Sequence, residues 1–516
     1  MNAFYTAQTS QKIDQYALNT LGIPSFLLMK QAGFFAFQTL QQLLNVPTQT
    51  SPPSNPVPTS SAKTLTLLCG TGHNGGDGFI LAQFAKLAGH TVHVCLLGNT
   101  DQLKGTALAA YQEMLAIGLS TKPFHQALLH QSDYIVDAIF GIGLNRPITG
   151  EICAIIQQVN QSQTPVLALD IPSGLHPNTG RILGQAIQAA HTCTFITQKI
   201  GLYSHQGTDL SGDIHYSPLF LESLISPSHP EFSPIAQNHS LNDWLQKLPP
   251  LPATHHKGLA GTACLIGGNH SMMGAIQLAA QACLNSGAGL TKVITQAQHT
   301  LLITQAQPEI QCYDASQLLP QLQHANAIAI GPGLGQDKWA QTCFQTVMKS
   351  DRPKVLDADA LNLLAQSPPH QNTETSSKWI LTPHPKEAAT LLNSTTQAVQ
   401  NDRIHAIKAL HALYGGVIVL KGNGTLIYDG KKLEICLAGN AGMAVGGMGD
   451  TLTGLITSFL AQGLSPWNAA NLGVSLHAHS GDQLAQQKSQ LGTTPSQLNL
   501  IIAQRLPKLK QPKALL

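Results

Sequence analysis

The sequence predicts an α/β protein of two domains, each a parallel β-sheet with helices on both faces. Three observations predict it. At 516 residues the chain is too long for one hydrophobic core and suits two domains of roughly 200–270 residues each. Short apolar runs alternate with helix-like patterns, the rhythm of successive βα units. The rhythm stops at Ser226–Ser240, a stretch punctuated by Pro227, Pro230 and Pro234, and then resumes.

In the first half the strand-like runs are Thr64–Cys69, Thr91–Leu97, Tyr134–Ala138, Val166–Asp170 and Thr192–Thr197, with helical patterns such as Phe79–Ala88 and Lys104–Ile117 between them. Thr48–Ser61, dense in Thr, Ser and Pro, reads as a surface-loop insertion, because the short pieces on either side need a common core. In the second half the runs are Thr262–Ile266, Ala327–Ile330, Lys354–Asp357, Trp379–Thr382 and Val417–Leu420. These boundaries predict domains at residues 1–225 and 246–512, joined by a linker at 226–245.

Composition narrows the function. Hydrophobic residues make up 43% and charged residues 10%, with 45 Gly and 30 Pro, as in a loop-rich globular protein. A net charge of +2 without a basic run lacks the footprint of a nucleic-acid binder. The nine cysteines form no C-x-x-C pair, which disfavours a disulfide framework or structural zinc. No apolar stretch is long enough for a bilayer and the N-terminus has no signal-like pattern, so a cytoplasmic protein without membrane contact is expected.

After the strand Thr64–Cys69 comes Gly70-Thr71-Gly72-His73-Asn74-Gly75-Gly76-Asp77-Gly78, leading to an expected helix at Phe79. Glycines let the backbone approach a ligand, and a helix start favours anions, so the loop suits phosphate; a tight strand-to-helix turn would read the same. Asp137 and Asp170 close two other strands, before Phe140-Gly141-Ile142-Gly143-Leu144 and Ile171-Pro172-Ser173-Gly174. Beyond the carboxyl ends of parallel strands these groups should converge on one crevice, though each Asp alone could simply cap a turn.

These residues, with Leu28-Met29-Lys30-Gln31-Ala32-Gly33 and Lys199-Ile200-Gly201, resemble the NAD(P)H-hydrate epimerases over about Asp14 to Gly212. The resemblance implies a Rossmann-like three-layer sandwich. It implies that His73, Asn74, Gly75, Gly76 and Asp77 contact the hydrated cofactor, with Gly141, Ile142, Gly143, Leu144, Asn145, Arg146 and Pro147. Asp170 would hold it, and Asn74, Asp137 and Ser173 would ligate K+, which prefers hard oxygen ligands. Asp170 and Asp77 are the expected proton-shuttling groups, with Lys199 as electrostatic helper. Two positions depart from the family: Lys30 stands for an acid and His73 for Asn.

The strongest local signal is Gly439-Asn440-Ala441-Gly442-Met443-Ala444-Val445-Gly446-Gly447-Met448-Gly449-Asp450, opening the apolar helical pattern Thr451–Ala461. Glycines at a helix start present N–H donors to a migrating phosphoryl group, and an Asp there can deprotonate the attacking hydroxyl. The plain alternative is a turn feeding a packed helix. Lys421-Gly422-Asn423-Gly424-Thr425 follows a strand and suits a nucleotide phosphate, although G-x-x-x-x-G-K-[ST] is absent. Asp357-Ala358-Asp359 and Thr382-Pro383-His384-Pro385 end other strands.

From about His256 to Leu476 the chain looks like the ADP-dependent NAD(P)H-hydrate dehydratases, through His256-Lys257-Gly258, Gly267-Gly268, Gly274-Ala275, Gly287-Ala288-Gly289, Gly331-Pro332-Gly333-Leu334-Gly335, Asp357-Ala358-Asp359-Ala360-Leu361 and Gly439–Asp450. The resemblance implies a ribokinase-like three-layer sandwich. It implies that Ala275, Gly333, His384 and Asp450 contact the hydrate, and that Lys421, Gly422, Asn423, Gly424, Thr425 and Gly449 hold the nucleotide. Asp450 would be the base, ADP the phosphoryl donor and Mg2+ its companion. Lys386 stands where the family commonly has Gly. The substrates implied are NADHX and NADPHX, repaired by a homo-oligomer. A small-molecule kinase with a stable phosphoester product, and a first half reduced to a non-catalytic binding module, remain as alternatives.

Overall fold

The computed structural model describes residues 2–45, 62–226, 229–252, 254–367 and 376–506. The Thr48–Ser61 insertion, Pro227 and residues 507–512 of the expected second domain lie outside the described residues. The chain packs as two compact units, Ala3–Ala236 and Gln237–Leu516 with the first two residues.

In the first unit β1 (Asn2–Tyr5) precedes two helices, Ala7–Asn19 and Ser25–Leu44. Six parallel strands then form the sheet: β2 (Thr64–Cys69), β3 (Thr91–Leu96), β4 (Tyr134–Ala138), β5 (Val166–Leu169), β6 (His191–Phe195) and, after the short β7 (Gln198–Lys199), β8 (Asp213–Ser217). Their order is β3-β2-β4-β5-β6-β8, so the direction of winding reverses between β2 and β4. Period-2 alternation sends Leu65, Leu67 and Cys69 to one face, where helices Ser25–Leu44, His73–Leu87 and Gly105–Ala116 cover them. Leu68, Ile135 and Ala168 face the other way, onto helix Glu151–Gln161. This is the expected Rossmann-like three-layer sandwich. Phe232, within the Pro-punctuated stretch, is buried in this unit and meets Tyr16 edge-on, ring centroids 5.4 Å apart.

In the second unit β9 (Ala236–Asn238) is followed by β10 (Thr262–Ile266), β11 (Leu290–Thr295), β12 (Ile310–Asp314), β13 (Ala327–Ile330), β14 (Lys354–Leu356), β15 (Trp379–Leu381), β16 (Val417–Leu420), β17 (Thr425–Tyr428) and β18 (Leu433–Cys436). The order is β12-β11-β10-β13-β14-β15-β16-β17-β18, parallel from β12 to β16, with β17 antiparallel to both its neighbours. Helices Met273–Asn285, Met448–Ala461, Pro466–Gln487 and Pro495–Arg505 bury one face; Lys338–Met348 and Arg403–Tyr414 pack on the other. Winding reverses here between β10 and β13. In open parallel sheets such reversals leave a crevice beyond the strand ends, which locates one candidate site in each unit.

Candidate functional site

In the first unit the turn after β2 is shorter than the sequence predicts. The helix begins at His73, not Phe79, with Gly72 as its N-cap. Gly75 and Gly78 therefore lie inside the helix, where a Cβ would collide with the Gly70 carbonyl oxygen or lie 2.7 Å from the Ala138 methyl. Those glycines bring the helix close against β2 and β4, and the helix's first amides, not an open loop, face the crevice.

A cleft of about 530 Å³ opens there, lined by Asp14, His73, Asn74, Asp77, Gly141, Ile142, Gly143, Leu144, Asn145, Arg146, Asp170 and Lys199, among others. Of the expected contact residues, Gly75, Gly76 and Pro147 do not line it. Asp137 and Ser173 are fully buried and bonded to each other: the carboxylate accepts from Ser173 Oγ at 2.6 Å and Ser173 N at 2.7 Å. Burial pushes the Asp137 carboxyl up to about 6 against the pull of those bonds. The buried Asn74 amide has neither its Oδ1 nor its Nδ2 hydrogen-bonded among the described residues.

Asp170 sits at φ +64°, an uncommon conformation for a non-glycine residue. The buried Lys199 ammonium donates to its carboxylate, to Phe195 O at 2.6 Å and to Thr194 Oγ1 at 3.2 Å. Parallel pairing of Tyr5 with Lys199 fixes that lysine in place. Burial, then the Asp170 and Asp14 carboxylates, raise the Asp77 carboxyl well above the usual range, against Lys199. One cleft thus holds a carboxylate pinned by a lysine and a second carboxyl biased toward its acid form. Asp14, contributed by helix Ala7–Asn19, was not singled out as a site residue from sequence; burial raises its carboxyl too, and His73 opposes the shift. Lys30 pairs with Glu113 at 2.9 Å and lies over the Phe26 ring, a partly exposed ion pair on the helical face.

In the second unit, Gly268 N and Asn269 N donate to Pro332 O (2.9 Å) and Gly333 O (2.7 Å), tying the turns after β10 and β13 together. A Cβ on Gly333 would lie 3.1 Å from that of Ala275, so these two expected contacts are adjacent. The long glycine turn ends at Gly447, φ +94°, and the helix starts at Met448, three residues before the expected Thr451. Asp450 therefore lies in the first helical turn.

Around it runs a charge network. Lys421 Nζ is 2.8 Å from Asp357 Oδ1 and 3.8 Å from Glu387 Oε2. Asp357 also accepts from Thr382 and Thr453 hydroxyls, both at 2.8 Å. A Cβ on Gly449 would be 3.3 Å from Lys421 Nζ, so the expected nucleotide loop and the Asp450 turn meet. Burial, then Asp357, push the Asp450 carboxyl up to about 6, with Lys421 opposing. Glu387 rises to about 7, chiefly by burial.

His384 does more structural work than expected. Its Nδ1 accepts from Lys386 N (3.1 Å) and Glu387 N (3.2 Å), capping helix Pro385–Leu391, and its Nε2 lies 3.3 Å from Glu387 Oε1. Only the backbone N–H of Lys386 enters that cap, which any residue but Pro supplies. Arg403, 3% exposed and also missed from sequence, donates to the carbonyls of Leu420 (3.1 Å) and Gly424 (3.3 Å), so the Lys421–Thr425 turn folds round its guanidinium.

Two family models match the chain: YjeF-related protein N-terminus over residues 25–201 and NAD(P)H-hydrate dehydratase over residues 263–504. The chain is 38% identical to the bifunctional NAD(P)H-hydrate repair enzyme of Coxiella burnetii, covering 96% of this chain and 98% of that one. It is 38% identical to the Vibrio cholerae enzyme of the same description, covering 96% of each. A solved structure of the ADP/ATP-dependent NAD(P)H-hydrate dehydratase from Bacillus subtilis is 30% identical, covering 52% of this chain and 97% of that one, with a TM-score of 0.47.

Proposed function

The chain belongs to the bifunctional NAD(P)H-hydrate repair enzymes, and on that footing we propose how its two sites divide the work. Residues 1–225 exchange the R and S hydrates of NADH and NADPH; residues 246–512 dehydrate the S hydrate with ADP, releasing NAD(P)H, AMP and phosphate. The observation that carries the reading is Asp450 in the first turn of a helix entered through glycines, beside Lys421.

In the first site the hydrate's ring nitrogen expels the neighbouring hydroxyl as water. Asp77, biased toward its acid form, donates the proton, and Asp170, held in place by Lys199, stabilises the planar cation left behind. Water returns to either face and Asp77 recovers its proton, which inverts the centre without net consumption. The unpartnered amide of Asn74, which lies against Gly141, would with Asp137 and Ser173 hold K+; bound there, the ion would supply a fixed positive charge to the cleft. KCl should raise the melting temperature of the full chain relative to choline chloride, and Asn74→Ala should abolish the difference. Equal melting of the wild type in both salts would remove K+ from the account.

In the second site Asp450 takes the proton of the hydrate's hydroxyl as its oxygen attacks the β-phosphorus of ADP, breaking the bond to AMP. The turn's amides and Lys421 hold the phosphoryl charge. The ring nitrogen then expels phosphate, and loss of a proton from the adjacent ring carbon restores the dihydropyridine. Phosphate leaves where hydroxide would not. Asp357, Glu387 and Asp450 set three carboxylates around Lys421, with Asp359 acting on Glu387, an acidic surround that fits magnesium-bound nucleotide better than a bare polyanion; Mg2+ would neutralise phosphate charge. The unpaired cysteines, all nine of them, support a reducing compartment, the cytoplasm.

AMP, phosphate and NAD(P)H should appear one for one. Because Asp450 acts ionised and its carboxyl is raised to about 6, kcat/KM for dehydration should fall about tenfold per pH unit below pH 6. An ordinary carboxylate would hold the rate down to about pH 4. A stable phosphorylated product, or a flat profile to pH 4.5, overturns the assignment.

A further inference from the structure

The phosphoryl-binding turn of the second unit is long and glycine-rich, so its shape must be imposed from outside. Glycines lose more freedom on ordering than other residues, and four of them lie between Gly439 and Gly447 inclusive. The imposition comes from helix Pro466–Gln487. Asp482, one turn from that helix's end, accepts from Gly439 N through one carboxylate oxygen (2.9 Å) and from Asn440 Nδ2 through the other (2.9 Å). The orientation of the Asn440 amide is set on its other side, where its Oδ1 accepts from Gly442 N at 3.0 Å, capping the short turn Ala441–Met443. One carboxylate therefore bridges the first two residues of the turn, and the second of these bridges onward to the fourth.

A second contact locks the same segment. The Met443 side chain lies directly over Gly481, where any Cβ would collide with its sulfur, and within 3.6 Å of where a Cβ on Gly439 would be. Five residues beyond Met443 the catalytic helix starts, and Asp450 follows in its first turn. Asp482 takes no direct part in that chemistry: the charges that move the Asp450 carboxyl are Asp357 and Lys421.

We propose that Asp482 is a positioning residue for phosphoryl transfer: by gripping Gly439 N and the Asn440 amide it holds the glycine turn in the shape that presents its amides to the migrating group. The inference rests on the dehydratase reading of this site. A carboxylate is required because both partners are donors; an amide at 482 satisfies one of them and opposes its own N–H to the N–H of Asn440.

The test is a polarity swap in the full chain. Asp482→Asn should lower kcat for ADP-dependent dehydration roughly ten- to a hundredfold, the scale of a misplacement of about 1 Å. It should leave the acid limb of the pH profile in place and epimer exchange, in the other unit, unchanged. The double variant Asp482→Asn/Asn440→Asp restores a donor–acceptor pair while keeping an acceptor for Gly442 N, and should recover most of the rate. A wild-type kcat in Asp482→Asn overturns the proposal, as does a folded double variant no faster than the single one. If the wild type itself yields no NAD(P)H from the S hydrate and ADP, the dehydratase reading fails instead, and the two failures are distinct.

Discussion

Asp450→Asn is expected to slow ADP-dependent dehydration by about 10²–10⁴-fold, the contribution of a positioned general base, while the two hydrate epimers still exchange at the wild-type rate. The substitution keeps the volume and the helical turn but removes the proton acceptor. The phosphoryl-binding amides and Lys421 remain, so nucleotide affinity should change little. The loss should therefore appear in kcat rather than in KM for ADP. The acid limb near pH 6 should vanish with it, because the carboxyl raised to about 6 is gone. Steady-state dehydration of the S hydrate, with the pH profile measured on both proteins, checks this. An unchanged rate, or a variant that keeps the acid limb, would move the base to another carboxylate, with Asp357 and Glu387 next to Lys421 as successors.

Lys199→Met should cost the first unit both activity and stability. The ammonium is 1% exposed and its partners are Asp170, Phe195 O and Thr194 Oγ1. Removing one half of a buried pair leaves the other charge uncompensated, a loss of about 3–5 kcal/mol. Epimer exchange should fall by at least about a hundredfold, because Asp170 then loses the partner that fixes its carboxylate in place beside the cationic ring. The double variant Lys199→Met/Asp170→Asn separates the two effects. Without a stranded charge it should regain much of the stability, and the exchange rate should stay low. Chemical denaturation followed on the first unit, alongside exchange of the epimers, reads both. Recovery of exchange in the double variant would make the pair structural only.

Much of this arrangement was legible in the sequence because it sits at strand ends. Asp137, Asp170, Asp357 and Lys421 each follow or close a short apolar run, and the order of such runs places the first two at the carboxyl edge of one parallel sheet and the last two at that of the other. The Gly439–Asp450 turn announced itself by composition. Helix starts were less legible: His73–Gly78 and Met448–Asp450 are helical although glycine resists helix, since close packing on β2, β4 and neighbouring helices outweighs propensity. The hairpin β17–β18 turns at Asp429-Gly430, a dipeptide whose signal was there to be used. β11 and β12 carry Lys292, Gln311 and Asp314, which blur the apolar run of a strand. Asp14, Arg403 and Asp482 gave no local signal at all. Each reaches its site from a helix distant in sequence from the groups it meets or supports, and Glu387, three residues past His384, meets Lys421 only through the fold.

That one chain both exchanges the epimers and consumes one of them is tested most directly by giving the purified protein an equal mixture of R and S hydrates with ADP, magnesium and potassium, and following the return of reduced-nicotinamide absorbance. Full recovery of the hydrate as NAD(P)H, with one AMP and one phosphate for each, is the predicted result. A halt once the S hydrate is spent, with the R hydrate left standing, would contradict it.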